Sequence, residues 1–268
     1  MAAAVPIESI VPPPADAPDD NFGGPPPLQR HYALFLDIDG TLLEVEARPE
    51  LVRVDARLRA LIADLNAACQ GAVALISGRA LADMDGLFAP LRLPAAGQHG
   101  AERRDAAGRL HRHGLAEEKL RAAAARLRRL VAAHPGLLLE DKGLNVALHY
   151  RLAPHLAGLA REAIAGTIGE LGERFEMQVG KMVFEAKLKG RDKGTAVVEF
   201  MQEAPFLDRT PVFIGDDLTD EHGFDVVNAL GGHAVKVGDG SSRARWQLAD
   251  PQAVHAWLRE YVRFCGPG

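Results

Sequence analysis

Four short runs in this chain are apolar almost throughout and stop on acidic or small polar residues: YALFLD, GAVALISGR, TPVFIGDD and HAVKVGD. Between them lie stretches with helical periodicity. In PELVRVDARLRALIADLNAAC, Leu58, Leu61, Ile62 and Leu65 recur three and four residues apart, and KGTAVVEFMQEA and TDEHGFDVVNAL also read as helices. A strand without polar alternation must be covered on both faces. Such strands, alternating with helices, specify a parallel sheet with helices on each side. The expected class is α/β. Ligands of such sheets bind beyond the carboxyl ends of the strands, and Asp37, Asp39, Ser77, Asp216 and Asp217 all follow strand-like runs directly.

The stretch from 103 to 188 has another rhythm. EEKLRAAAARLRRLVAAH is an amphipathic helix, LLLEDKGLNVALHYR reads as two strands around a glycine turn, a helix follows near Pro154 to Leu171, and FEMQVGKMVFEAKL reads as a second strand pair. Helix, hairpin, helix, hairpin describes a compact α+β module on an antiparallel sheet. It interrupts the parallel domain, whose two parts are expected over 28–102 and 189–268. A module inserted beside a sheet-edge site is placed to act as a lid. Residues 1–27, rich in Pro, Ala and Asp with few large apolar groups, read as a flexible leader.

Composition narrows the function. A net charge of −5 argues against a broad grip on nucleic acid, which needs a basic surface. Cys69 and Cys265 are too few for a disulfide scaffold or a zinc site. No apolar run reaches the ~18 to 20 residues of a membrane span, and the N-terminus lacks the basic and apolar regions of a secretory signal. The expectation is a cytoplasmic protein without membrane or nucleic-acid partners.

Asp37 and Asp39 set two like charges side by side at a strand end, an arrangement that repels unless a cation or a reaction uses it. GDDLTDE adds Asp216, Asp217 and Asp220. Such a set of oxygen donors suits a hard cation such as Mg²⁺. Ser77 and Lys193 supply a hydroxyl and an ammonium suited to phosphate oxygens. Each piece alone has a structural reading as a turn, an N-cap or a solvated lysine. Together they form a carboxylate nucleophile, a cation site and phosphate donors, which is what phosphoryl transfer requires. Asp37 would form an aspartyl-phosphate; Asp39 would protonate the leaving alcohol and then accept a proton from the hydrolytic water.

DIDGTL, SGR, DKG and GDDLTDE, in this order, resemble the motifs of the haloacid dehalogenase-like phosphatases. AAGQHGAERR, LEDKGLNVALHYR, VFEAKLKGRDKG and TPVFIGDDLTDEHGFDVVNALGG extend the similarity to the bacterial trehalose-6-phosphate phosphatases, from about Tyr32 to Trp257. The resemblance implies a Rossmann-like core with an inserted α/β cap, and Mg²⁺-dependent hydrolysis of trehalose 6-phosphate through an aspartyl-phosphate. It makes Asp37 nucleophile and metal ligand, and Asp39 general acid/base and a ligand through its carbonyl. Asp216 completes the metal site, with Asp217 and Asp220 beside it. Ser77 and Lys193 hold the phosphoryl group. Glu140, Lys142 and Glu185 contact the disaccharide, with Lys187 and His99 as further candidates. A trehalose-6-phosphate synthase is the implied functional partner. Gln98 and Leu188 depart from the family pattern, which commonly has an acid and a proline there. The competing readings are a phosphatase of another sugar phosphate such as sucrose 6-phosphate, and a non-catalytic module that senses a sugar phosphate.

Overall fold

The computed structural model describes residues 23–46, 51–113 and 117–265. The chain's larger sheet has strand order β12-β11-β10-β1-β2-β3-β4-β5. Its strands are β1 (Tyr32–Leu36), β2 (Val73–Ile76), β3 (Ala95–Gly97), β4 (Glu102–Arg104), β5 (Leu110–Arg112), β10 (Thr210–Gly215), β11 (His233–Val237) and β12 (Trp246–Leu248). The six from β12 to β3 run parallel, and β4 and β5 are antiparallel. Every residue of β1 is buried, as a strand covered on both faces requires. The cover includes α1 (Ala56–Ala68) packed on α7 (Pro251–Cys265), and α5 (Lys193–Met201) packed on α6 (Glu221–Ala229). Helix α1 starts at Asp55, whose carboxylate accepts from Leu58 N at 2.7 Å, and buries Leu58, Leu61, Ile62 and Leu65, the periodic set. A further helix, α2 (Leu81–Phe88), follows β2.

The chain runs outward from β1 through β2 and β3 and later returns to β1's other side with β10. The gap between β1 and β10 is therefore a topological switch point, where a crevice opens at the strand ends.

The smaller sheet, order β6-β7-β9-β8, is antiparallel throughout. It comprises β6 (Leu138–Asp141), β7 (Val146–His149), β8 (Phe175–Gly180) and β9 (Val183–Leu188), with α3 (Glu117–Ala133) and α4 (Ala157–Leu171). One face joins a hydrophobic cluster with the two helices: Val146, Leu148, Phe184, Ala186 and Leu188 pack with Leu127 and Ile164. Alternate residues face the other way. A row of register partners, Glu140, Ala147, Glu185 and Gln178, crosses that second face.

The structure differs from the sequence expectation at two places. Residues 103–112 belong to the larger sheet, as the β4–β5 hairpin, rather than to the inserted unit. Their polarity hid them. Arg103 is buried over the Phe200 ring, 4.8 Å from its centroid, and pairs with Glu199 at 3.0 Å; Arg104 pairs with Asp85 at 2.7 Å. Arginine stems can fill apolar space when the head is paired. Of the leader expected over 1–27, residues 1–22 lie outside the described residues. Gly23 already bridges Trp246 at the sheet edge, and Gln247 N donates to Gly23 O at 3.2 Å.

Candidate active site

Leu36 lies level with Ile214 of β10 and Leu75 of β2. The residues that follow, Asp37, Asp216 and Ser77, therefore leave three adjacent strands at one edge. Asp37 N still donates to Ile214 O at 3.0 Å, which fixes the strand end. Oxygens of Asp37, Asp216 and Asp220 lie within 4.8 Å of one another. Gly40 makes this approach possible. Its φ is +85°, and a Cβ there would sit 2.1 Å from Asp216 Oδ2.

Lys193, the first residue of α5, balances part of the charge. It is buried, and its Nζ donates to Asp37 Oδ1 at 2.8 Å and to Asp220 Oδ1 at 2.6 Å. Burial opposes its charge, but the Asp220 and Asp37 carboxylates win and hold its pKa well above the usual lysine range. Asp37 is pushed up to about 7, by burial and by Asp216, against the pull of Lys193. Asp216 is also raised to about 7, by burial and then by Asp220 and Asp217. Two carboxylates that resist ionisation together form a site lacking a positive charge.

The five acids expected at the metal do not act alike. Asp220 is fully buried and committed: Oδ1 to Lys193, Oδ2 to the backbone N–H groups of Asp216 and Asp217, each at 3.1 Å. It shapes the loop. Asp217 turns to Thr219, accepting from N at 2.7 Å and from Oγ1 at 2.6 Å as the cap of a short 3₁₀ turn. Asp39 turns to Arg79, which donates Nε to Oδ2 and a terminal nitrogen to Oδ1, both at 2.6 Å. Asp216 accepts no side-chain hydrogen bond from the described residues, and Lys236 Nζ holds its backbone carbonyl. Asp216 thus keeps its side-chain oxygens available for a cation, and Asp37 Oδ2 is met only by a long 3.3 Å bond from Thr41 Oγ1 among the described residues, with Asp220 behind them.

Ser77 is buried, and its Oγ accepts from Arg79 N at 3.2 Å. Across the crevice, the smaller sheet presents Glu140, Lys142 and Glu185 to the same cleft that Asp37, Asp39 and Lys193 line. Lys142 Nζ donates to Glu185 Oε2 at 3.0 Å and lies 3.8 Å from Glu140. His99 Nε2, from the core, also meets Glu185 Oε2, at 3.3 Å. Burial works against the Glu185 charge, but Lys142 and His99 outweigh it and hold its pKa below the usual carboxylate range. Its other oxygen, Oε1, is buried without a partner among the described residues. A buried acceptor left open in a cleft is a place for a donor from a ligand.

Lys187 is not brought into this group. Its Nζ donates to Arg191 O at 2.7 Å and lies 3.3 Å from Glu176. Gln98 is buried too. Its Oε1 accepts from Leu144 N at 3.1 Å, while its Nε2 donates to Glu102 at 3.0 Å, so it ties the inserted unit to the core. Leu188 packs in the cluster of the smaller sheet. Sequence reasoning assigned no role to Arg79, His149 or Gln178, which also line the cleft. For His149 the signal was present: alternation along NVALHYR places it on the face of Ala147, and its Nε2 meets Glu140 Oε2 at 2.9 Å.

The profile of the trehalose-phosphatase family matches residues 35–252. The chain is 46% identical over 233 residues to the trehalose-6-phosphate phosphatase of Escherichia coli, covering 87% of each protein. It is 42% identical over 210 residues to a probable trehalose-phosphate phosphatase of Sinorhizobium fredii, covering 78% of each. A crystal structure of a trehalose-6-phosphate phosphatase related protein superposes with a TM-score of 0.75 at 27% identity, covering 86% of this chain and 97% of that one.

Proposed function

Because this chain belongs to the trehalose-phosphatase family, we propose that it hydrolyses trehalose 6-phosphate to trehalose and phosphate. The observation that carries this reading is a single cleft shared by two kinds of group. Asp37, Asp39 and Ser77 come from the sheet edge with Lys193 of α5 beside them, and Glu140 and Glu185 from the facing sheet with Lys142 in its β6–β7 turn. The first set suits a phosphoryl group; the second, with the open Glu185 Oε1, suits sugar hydroxyls.

In this mechanism the Asp37 carboxylate attacks phosphorus, and the bond from phosphorus to the sugar oxygen breaks. Asp39 gives its proton to that oxygen as it leaves. A water then attacks phosphorus, passing a proton to Asp39, and the Asp37–phosphorus bond breaks to release phosphate. Lys193 and Ser77 donate to the phosphoryl oxygens as charge builds there. Oxygens of Asp37 and Asp216 fit a Mg²⁺ ion, which when bound supplies neutralising charge for the phosphoryl group. Asp220 and Asp217 support that site through the loop rather than at the ion.

No helix among the described residues is long and apolar enough to cross a membrane. We place the enzyme in the cytoplasm, downstream of a synthase that makes the phosphorylated disaccharide. The test is phosphate release from trehalose 6-phosphate, sucrose 6-phosphate, glucose 6-phosphate and an aryl phosphate, with Mg²⁺ and with EDTA. Metal-dependent preference for trehalose 6-phosphate supports both halves of the cleft. Metal-dependent activity without preference removes the sugar assignment. No activity from folded protein removes the enzymatic reading.

A further inference from the structure

Asp39 carries both proton transfers in the reaction above, yet its side chain is one-third exposed, at 33%. A short, partly exposed carboxylate has rotamer freedom, and proton transfer tolerates little misplacement. Among the described residues no side chain other than Arg79 bonds its carboxylate. The Arg79 guanidinium meets both oxygens in a fork of two parallel bonds, 2.6 Å each. That geometry fixes the plane of the carboxylate as well as its position.

Arg79 is itself held at the backbone. Its N donates to Ser77 Oγ at 3.2 Å, and its carbonyl accepts from Gln98 N at 2.9 Å. Gly97 leaves space for that carbonyl, since a Cβ there would meet Arg79 O at 2.8 Å. The turn after β2 thus serves two purposes at once: Ser77 for the phosphoryl group, and Arg79 for the acid/base. Glu140 of the facing sheet and Asp83 of α2 act on the guanidinium electrostatically. At the sheet edge Lys193 holds Asp37 and Asp220, while Arg79 holds Asp39.

We infer that Arg79 is the positioning residue for Asp39, holding its carboxylate plane so that both proton transfers at Asp39 are fast. This rests on the phosphatase reading above. Arg79 forms no bond to the substrate in this scheme, so its loss should slow chemistry without weakening binding.

A leaving group that departs unaided separates the steps. With an aryl phosphate, formation of phospho-Asp37 needs no proton from Asp39, whereas hydrolysis of that intermediate still needs Asp39 as base. Wild-type turnover of both substrates tests the phosphatase reading itself. Arg79→Ala then tests the positioning role by rapid-quench kinetics. For trehalose 6-phosphate, kcat should fall about 10²-fold, the scale of a general acid–base contribution, with KM within about threefold. For the aryl phosphate, a stoichiometric burst of phenolate should remain, followed by slow turnover. Guanidinium ion in the assay should restore part of the lost turnover.

Arg79→Lys keeps the charge but cannot fork, and should show the same pattern at about a tenfold loss. It carries the test if Arg79→Ala does not fold by circular dichroism. Equal loss of burst and turnover on the aryl phosphate would overturn the inference, as would a raised KM with kcat retained, or wild-type rates in both variants.

Discussion

Replacing Glu185 by Gln keeps the side-chain volume and removes one negative charge from the centre of a buried cluster. Its Oε2 takes Lys142 at 3.0 Å and His99 at 3.3 Å, and its side chain is only 5% exposed. Without that charge, Lys142, itself 7% exposed at the side chain, retains only Glu140 at 3.8 Å as an anionic partner among the described residues. Breaking a buried pair from one side costs about 3–5 kcal/mol, because the remaining charge is left uncompensated. The amide still accepts one hydrogen bond, so a loss of about 3 kcal/mol is expected, measured by urea unfolding at pH 7. The sign with pH follows from the depressed Glu185 pKa. Its stabilisation is present above the unfolded glutamate value of about 4.3 and fades as pH falls through the lower folded value. The wild-type advantage over Glu185→Gln should therefore shrink on acidification. In the same variant KM for trehalose 6-phosphate should rise, while aryl phosphate turnover holds within about twofold. A variant within about 0.5 kcal/mol of wild type, with an unchanged KM for the sugar phosphate, would refute both the buried-pair and the sugar-contact reasoning.

Gly40→Ala should abolish most metal-dependent activity, because its Cβ would displace the Asp216 carboxylate and a φ of +85° adds about 1–2 kcal/mol of strain; titration of Mg²⁺ against activity reads the loss. In EDTA, stability should fall as pH rises from about 5 to 8. Asp37 and Asp216, raised to about 7, bind protons in the folded state that the unfolded chain has already released. Asp216→Asn should flatten that slope, followed as Tm against pH. Asp37→Asn should fold normally and show no turnover of trehalose 6-phosphate, by phosphate release; turnover above a trace would refute the covalent step.

The acids at strand ends were legible because an apolar run ending in Asp is a local pattern, and the parallel-sheet rule carries it to one edge without further information. The inserted unit was legible for the same reason, since helix and hairpin periodicities are local. Their partners were not. Nothing local in SGR says that Arg79 reaches Asp39, 40 positions earlier, nor that Asp220 spends both oxygens on Lys193 and its own loop. Lys187, two residues from Glu185, shares its face of β9, yet bonds Arg191 O. The β4–β5 hairpin escaped because its buried arginines read as a solvated charge run until Glu199 and Asp85 lie beside them. Local pattern determines which residues stand at the sheet edge. Which carboxylates stay free for a metal, and which cations hold the others, only the fold decides, because that is settled by partners from distant segments competing for the same few oxygens.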